Sequence, residues 1–288
     1  MHKFPEIPVA TIGPGSQTTD AEAELAITSM PSGMSTYVQP IMPEIEVLEE
    51  LDVKAGIQAL EDALIALRRY QPGQAALSVN LSHLNDINLR FVNQALGDGE
   101  VSVMSTGDAP IKAQESVMAG IWRVQHCDQH DRPLHDSIEI GDVPDMVRSL
   151  TFQTANSELD TRFDLSSGEL QNSPALLVEL KDQLKEWTPE SELHVINLTL
   201  LPLTDADLHL IGSRLGVGPV TILSRGYGNC RIGSTAKNNV WWIKYYNSED
   251  KLILNTIEVT SIPEVALAAP EDLHDSIERL DEILALYR

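Results

Sequence analysis

From residue 55 onward the apolar residues fall into two rhythms. In GIQALEDALIALRRY (56–70), Ile57, Leu60, Leu64 and Leu67 recur at the spacing of one helical face, and QPG stops that helix. AALSVNL (75–81) reads as a strand. NDINLRFVNQALGDG (85–99) reads as a capped helix stopped by glycine. EVSVMS, SVMAGIWRVQ and PLHDSIEI then read as strands.

The same order returns further along. SPALLVELKDQLKEWTPE (173–190) matches the first helix, with Trp187 and Pro189 where Tyr70 and Pro72 stand, and ELHVINL matches AALSVNL. From Leu84 onward the copies align without a gap at a spacing of 119 residues, pairing Gly97 with Gly216, Gly99 with Gly218, Trp122 with Trp241 and Pro144 with Pro263. This predicts an internally duplicated α+β protein: two similar helix-strand-helix-strand units related by a pseudo-twofold axis, their sheets joined into one or packed face to face. The expected organisation is an extended, acidic, proline-containing arm (1–54), a first repeat (55–150), a polar linker (151–174) and a second repeat with the C-terminal helix (175–288). Within the arm, Met34, Tyr37, Ile41 and Met42 could dock as an extended peptide, on the chain's own domain or on a partner.

Charge narrows the function. There are 43 acidic and 20 basic residues, a net charge of −23. Such a chain is repelled by phosphate backbones and anionic lipid, which argues against nucleic acid or a membrane as partner. No stretch approaches the roughly 20 apolar residues of a membrane span. The start has no signal-peptide-like apolar run, so the predicted location is the cytoplasm. Cys127 and Cys230 are too few for a disulfide framework or a four-cysteine zinc site.

Where the copies agree, folding explains the residue. Trp122 and Trp241 share a face with Val124 and Ile243, which predicts core. Where they differ, the difference can be function. Trp242 stands against Arg123 and Tyr246 against Cys127, placing aromatics on a face that is polar in the first copy. Trp242 either contacts a partner or is covered by the arm or final helix. The segment SRGYGNCRIG, read as a loop, carries Arg225, Tyr227, Asn229, Cys230 and Arg231, private to the second copy. Two arginines beside Cys230 could lower its pKa, or the glycine-rich backbone and arginines could hold an anion or a partner's carboxylate. The predicted partner-binding set is Arg225, Tyr227, Asn229, Cys230, Arg231, Trp242 and Tyr246. His126, Cys127, His130 and His135 surround an expected hairpin turn whose counterpart has no ligand-type cluster, so no metal site and no cofactor is predicted there. No nucleophile–base pair or nucleotide-binding glycine motif is present, which points away from an enzyme.

The run SRGYGNCRI, with NVWWI, YYNS, LILNTIEV and PEVALAA after it, resembles the C-terminal signature of hydrogenase expression/formation proteins of the HupH/HyaF type. LGDGEVSV and QESVMAGIWRV resemble the family's first-repeat motif, and the arm fits through PSGM, TY and PE. The resemblance implies a cytoplasmic accessory protein for uptake NiFe hydrogenase. It would act on the iron–sulfur small subunit precursor before export, alongside a thioredoxin-like maturation protein. It assigns no catalytic residues. Two readings follow: a non-catalytic maturation chaperone, or a redox or metal-handling factor using Cys230. Exposed strand edges could pair two copies, and the oligomeric state stays open.

Overall fold

The computed structural model describes residues 52–164, 168–225 and 229–288. Residues 1–51, with the expected docking peptide around Tyr37, lie outside them. The strands are β1 (Leu77–Asn80), β2 (Val101–Ser105), β3 (Ile111–Glu115), β4 (Ile121–Cys127), β5 (Pro133–Ile140), β6 (His194–Asn197), β7 (Val220–Ser224), β8 (Asn229–Ser234), β9 (Val240–Tyr246) and β10 (Leu252–Val259). All join one ten-stranded sheet in the order β1-β5-β4-β3-β2-β7-β8-β9-β10-β6. Every neighbouring pair is antiparallel, and at the central seam Val103 of β2 lies opposite Ile222 of β7.

The helices are α1 (Lys54–Arg69), α2 (Asp86–Leu96), α3 (Asp145–Leu150), α4 (Ser173–Glu186), α5 (Asp205–Leu215) and α6 (Pro270–Ala285). Local chemistry sets their ends. Asn85 Oδ1 accepts the Asn88 N–H at the start of α2, and Thr204 with Asp207 forms a capping box at the start of α5. Both helices stop at a glycine with positive φ, Gly97 at 59° and Gly216 at 65°, where a side chain would be strained. Buried Asp207 also accepts from the Gln171 and Ser173 N–H groups and the Ser173 hydroxyl, tying α4 to α5. Burial alone would raise its pKa; these hydrogen bonds overcome that and hold it below the usual carboxylate range.

Strand alternation sends side chains to two faces. On one face, α1 and α2 bury Leu60, Leu64, Phe91 and Val92 against Ile121, Ile138 and Ile140. Beside them α4 and α5 bury Leu177, Leu180, Leu208 and Ile211 against Val240, Trp242 and Ile257. The opposite face is a shared core of Trp122, Val124, Ile222, Trp241 and Ile243, covered by Met146 and Val147 of α3. Trp122 and Trp241 are core, as their alternation predicts: their exposures are 1% and 0%. Each such large side chain contributes about 1.5–3 kcal/mol by leaving water.

The sequence reading departs from this structure in three places. The segment around Cys230 is not only loop, because Asn229–Ser234 is strand β8, and IKAQE, 119 residues earlier, is strand β3. Lys and Gln weaken β propensity, but Ile111 and Ala113 alternate inward with Lys112 and Gln114 less buried. The C-terminal helix α6 does not close the second half. Its Leu273, Leu280 and Leu284 pack into the core of α1 and α2. The polar linker is likewise not a bare tether, since Leu159 is buried with α4 and α5, and Phe163 packs there. The tail of each half therefore packs against the helices of the other. Among the described residues, no helix is long and apolar enough to cross a membrane.

Candidate functional site

β8 and β9 carry most of the residues predicted to bind a partner, and pleating divides them. In the β8–β9 register, Asn229 lies opposite Tyr246, Arg231 opposite Lys244, and Gly233 opposite Trp242. These share the helix-bearing face. Cys230 opposite Tyr245 points to the other face. The predicted set is thus not one surface.

On the helix-bearing face three of the residues come together. The Arg231 guanidinium lies 4.6 Å from the centre of the Tyr246 ring, a cation–π contact. Asn229 Nδ2 donates to Asp250 Oδ1 at 2.6 Å, holding the open end of the β8–β9 pair. Asn229, Arg231 and Tyr246 are all half-buried. Arg225 follows β7 and donates its backbone N–H to Glu100 O at 3.1 Å. Among the described residues, the buried Nε–H groups of Arg225 and Arg231 meet no acceptor. Tyr227 lies outside the described residues.

Trp242 does not belong with them as an accessible anchor. It is fully buried under α4 and α5, and its indole N–H donates to Asn255 Oδ1 at 2.6 Å. The covering layer is therefore these two helices, not the final helix. Its counterpart Arg123 is ion-paired with Asp136 and hydrogen-bonded to Asn93. The aromatic–arginine difference thus reflects two ways of covering the sheet.

Cys230 is likewise not an accessible thiol. It is 5% exposed, and burial pushes its thiol up to about 12, opposed by its contact with Tyr245 and reinforced by Glu258. The expected lowering fails because Arg231 projects from the other side of the sheet. A thiol this protonated has almost no thiolate for nucleophilic or redox work at neutral pH.

Cys230 and Tyr245 stand at the wall of a cavity of about 770 Å³, shared with Glu115, Trp122, Ser224 and Asp272. Trp122 donates its indole N–H to Gly141 O at 2.9 Å. Glu115 accepts the Gly120 N–H at 3.1 Å. Burial pushes the Glu115 carboxyl up to about 7; the Gly120 bond lowers it, and Asp272 and Glu100 raise it further. The sequence reading missed Glu115 because it missed β3, whose alternation places this carboxyl on the same inward face as Ile111 and Ala113. On the first half's hairpin, the His126 and His135 rings meet edge to face at 5.7 Å, and burial followed by His135 lowers the His126 pKa. Among the described residues no group of three His, Cys, Asp or Glu side chains is placed to hold a metal ion.

Glu115 has a consequence for stability. Above the unfolded-state pKa of about 4.3, the folded protein holds a proton that the unfolded chain has released, so stability falls with pH from there to about 7 and stays lower beyond. Glu115→Gln keeps an acceptor for Gly120 and removes the ionisation. We expect it to gain about 3 kcal/mol over the parent near pH 8 and almost nothing near pH 4. Urea unfolding at the two pH values measures this, and parallel pH profiles for the two proteins would disprove it.

The family model described as "HupH hydrogenase expression protein, C-terminal conserved region" matches this chain twice, over residues 53–162 and 170–287. The chain is 43% identical to hydrogenase expression/formation protein HoxQ of Cupriavidus necator, covering 99% of this chain and 98% of that protein. It is 41% identical to hydrogenase expression/formation protein HupH of Rhodobacter capsulatus over 98% of both. To hydrogenase-1 operon protein HyaF of Escherichia coli it is 32% identical over 94% of both. The solved structure of hydrogenase expression protein HupH from Thiobacillus denitrificans is 30% identical, covers 40% of this chain and 95% of that one, and superposes with a TM-score of 0.38. With the family model spanning both halves and relatives above 30% identity covering nearly the whole length, this chain belongs to the HupH/HyaF family of hydrogenase expression/formation proteins.

Proposed function

We propose that this protein is a non-catalytic accessory chaperone in NiFe hydrogenase maturation, acting in the cytoplasm on the iron–sulfur small subunit precursor, with a thioredoxin-like maturation protein as a second partner. Family membership supports the maturation role. The observation that supports a client-binding surface is the cluster of Arg231 on Tyr246, with Asn229 beside them. The half-buried guanidinium groups of Arg225 and Arg231 are charged donors that suit a client's carboxylate or carbonyl. The net charge of −23 favours encounter with a basic segment, which supplies steering rather than specificity. The redox reading through Cys230 is not retained, given its burial.

The duplication belongs to this proposal. Two copies of one unit, fused so that their sheets join edge to edge, account for a strand order that reads alike from both edges. They also account for the same spacing between α2 and α5, β4 and β9, and β5 and β10. One copy then keeps the fold's shared features while β8–β9 of the other carries the client surface.

The test is a pull-down from cells making the cognate hydrogenase, comparing the wild-type chain with an Arg231→Ala/Tyr246→Ala double variant. Recovery of the small-subunit precursor should fall about tenfold or more, with the circular dichroism spectrum unchanged. Equal recovery would move the client surface elsewhere. No precursor with the wild type would remove the small subunit as client.

A further inference from the structure

The two halves treat one equivalent place in opposite ways. In the first half, the hollow beside the β3–β4 turn is apolar and filled. Leu64 of α1, Ala95 of α2 and Met118 of the turn are buried there with Leu273, Leu280 and Leu284 of α6. Arg279 of the same helix donates to Val117 O in the turn at 3.2 Å.

Matched through Tyr70 and Trp187, Leu64 corresponds to Lys181. At the 119-residue spacing, Ala95 corresponds to Arg214 and Met118 to Lys237. Three apolar core positions have thus become three cations. Where α6 lies in the first half, the linker runs past in the second. Asn156 bridges to Lys237, and Asn238 Nδ2 donates to Ser157 Oγ at 3.0 Å. A cavity of about 500 Å³ remains, walled by Glu158, Asp160, Arg162, Lys181, Arg214 and Lys237.

The charges in this cavity do not cancel. Asp160 is shared by Arg162, at 2.8 and 2.9 Å, and by Arg214 Nη1 at 2.8 Å. The Arg162 hydrogen bonds, with the charges of both arginines, hold its carboxyl far below the usual range. It is fully committed. Arg214 Nη2 donates to Arg162 O, while its buried Nε–H meets no acceptor among the described residues. Among the described residues, Lys237 Nζ reaches only neutral oxygens, Asn156 Oδ1 at 3.1 Å and Glu158 O at 2.6 Å, and Lys181 Nζ only Thr161 Oγ1 at 3.4 Å. Burial lowers the Lys237 pKa, opposed by the charge of the Glu158 carboxylate, which the lysine does not contact. Four cations thus face two carboxylates in a chain whose net charge is −23. Beyond a Debye length of about 8 Å the surrounding negative charge is largely screened, so the local excess governs what enters.

We infer that this cavity is an oxyanion site, taking a single carboxylate or phosphate group between Lys181, Lys237 and Arg214. Charge-assisted donors converging on a partly enclosed hollow are the chemistry that binds such groups. The site is independent of the proposed client surface on β8 and β9.

Calorimetric titration of the full chain with inorganic phosphate and, separately, with succinate, at fixed ionic strength in chloride salt, tests it. Lys181→Leu and Lys237→Met install the residues that the first half carries at the same places, so both should fold. We expect one saturable site, weakened about tenfold by either substitution and further by both, and unchanged by Lys251→Met at an exposed position. Saturation by phosphate alone would support the site and identify a phosphorylated ligand; saturation by succinate alone would support it and identify a carboxylate. Absence of saturation by either anion, or equal affinity in the folded double variant, would overturn the inference.

Discussion

Replacing Trp242 with alanine is expected to destabilise the protein by about 3–5 kcal/mol, lowering its thermal midpoint by about 10 °C or more. The side chain has no exposed surface and packs among Leu177, Leu180, Leu208 and Ile211. Truncation removes the transfer free energy of the indole and leaves a cavity that two helices and a sheet cannot close. It also removes the hydrogen bond that the indole N–H donates to Asn255 Oδ1 at 2.6 Å. Trp242→Phe should cost less, since it keeps much of the volume and loses mainly the hydrogen bond. Thermal unfolding followed by circular dichroism distinguishes this role from an interface role. An alanine variant with an unshifted midpoint that nevertheless lost binding to the proposed client would return Trp242 to the surface. The converse warning also holds: weaker client capture by this variant, without a stability measurement, says nothing about contact.

Trp242 also shows where sequence reasoning reached its limit. Period-two alternation correctly assigns Trp241 and Trp242 to opposite faces, and it correctly makes Trp241 core. It cannot say that the other face is also covered, because that depends on α4 and α5 lying over β9. In the first half, Arg123 at the equivalent place suggested a solvated face, yet it is held by Asp136 and Asn93 and is itself only half-buried. A paired arginine and a buried tryptophan are alternative solutions to covering one position. Cys230 failed for a related reason: reading its segment as loop placed the arginines beside it, whereas β8 sends Arg231 through to the other side. Asn229, Arg231 and Tyr246 remained together because their spacing across the β8–β9 pair agrees with the pleat. The helices before each edge strand, the strand that follows each, and both glycine stops were legible because each rests on local chemistry. The destination of α6 was not, since an amphipathic helix specifies that it needs an apolar partner, and not which one.

That destination leads to the second large effect. Ending the chain at Ala269 should abolish cooperative folding of the first half. α6 contributes Leu273, Leu280 and Leu284 to the core of α1 and α2, with Ile277, Ile283 and Tyr287 packed against it. Three buried leucines at about 1.5–3 kcal/mol each already approach the 5–15 kcal/mol by which a domain is stable. Tyr287 adds an edge-to-face contact with Phe91 at 5.2 Å. The ion pairs of Asp281 with Arg68 and Arg288 are largely exposed and contribute little beside this. Hydrogen exchange should therefore find α1, α2 and β4 unprotected in the shortened chain, and protection in α4, α5 and β9 reduced less. Leu280→Ala in the full-length chain is the milder probe, costing about 2–5 kcal/mol because Leu280 has no exposed surface. A shortened chain with parental protection in α1 and α2 would mean that α6 only rests on the first half. Loss confined to that half would mean that the last helix of the chain completes the core of the first half, which does not fold without it.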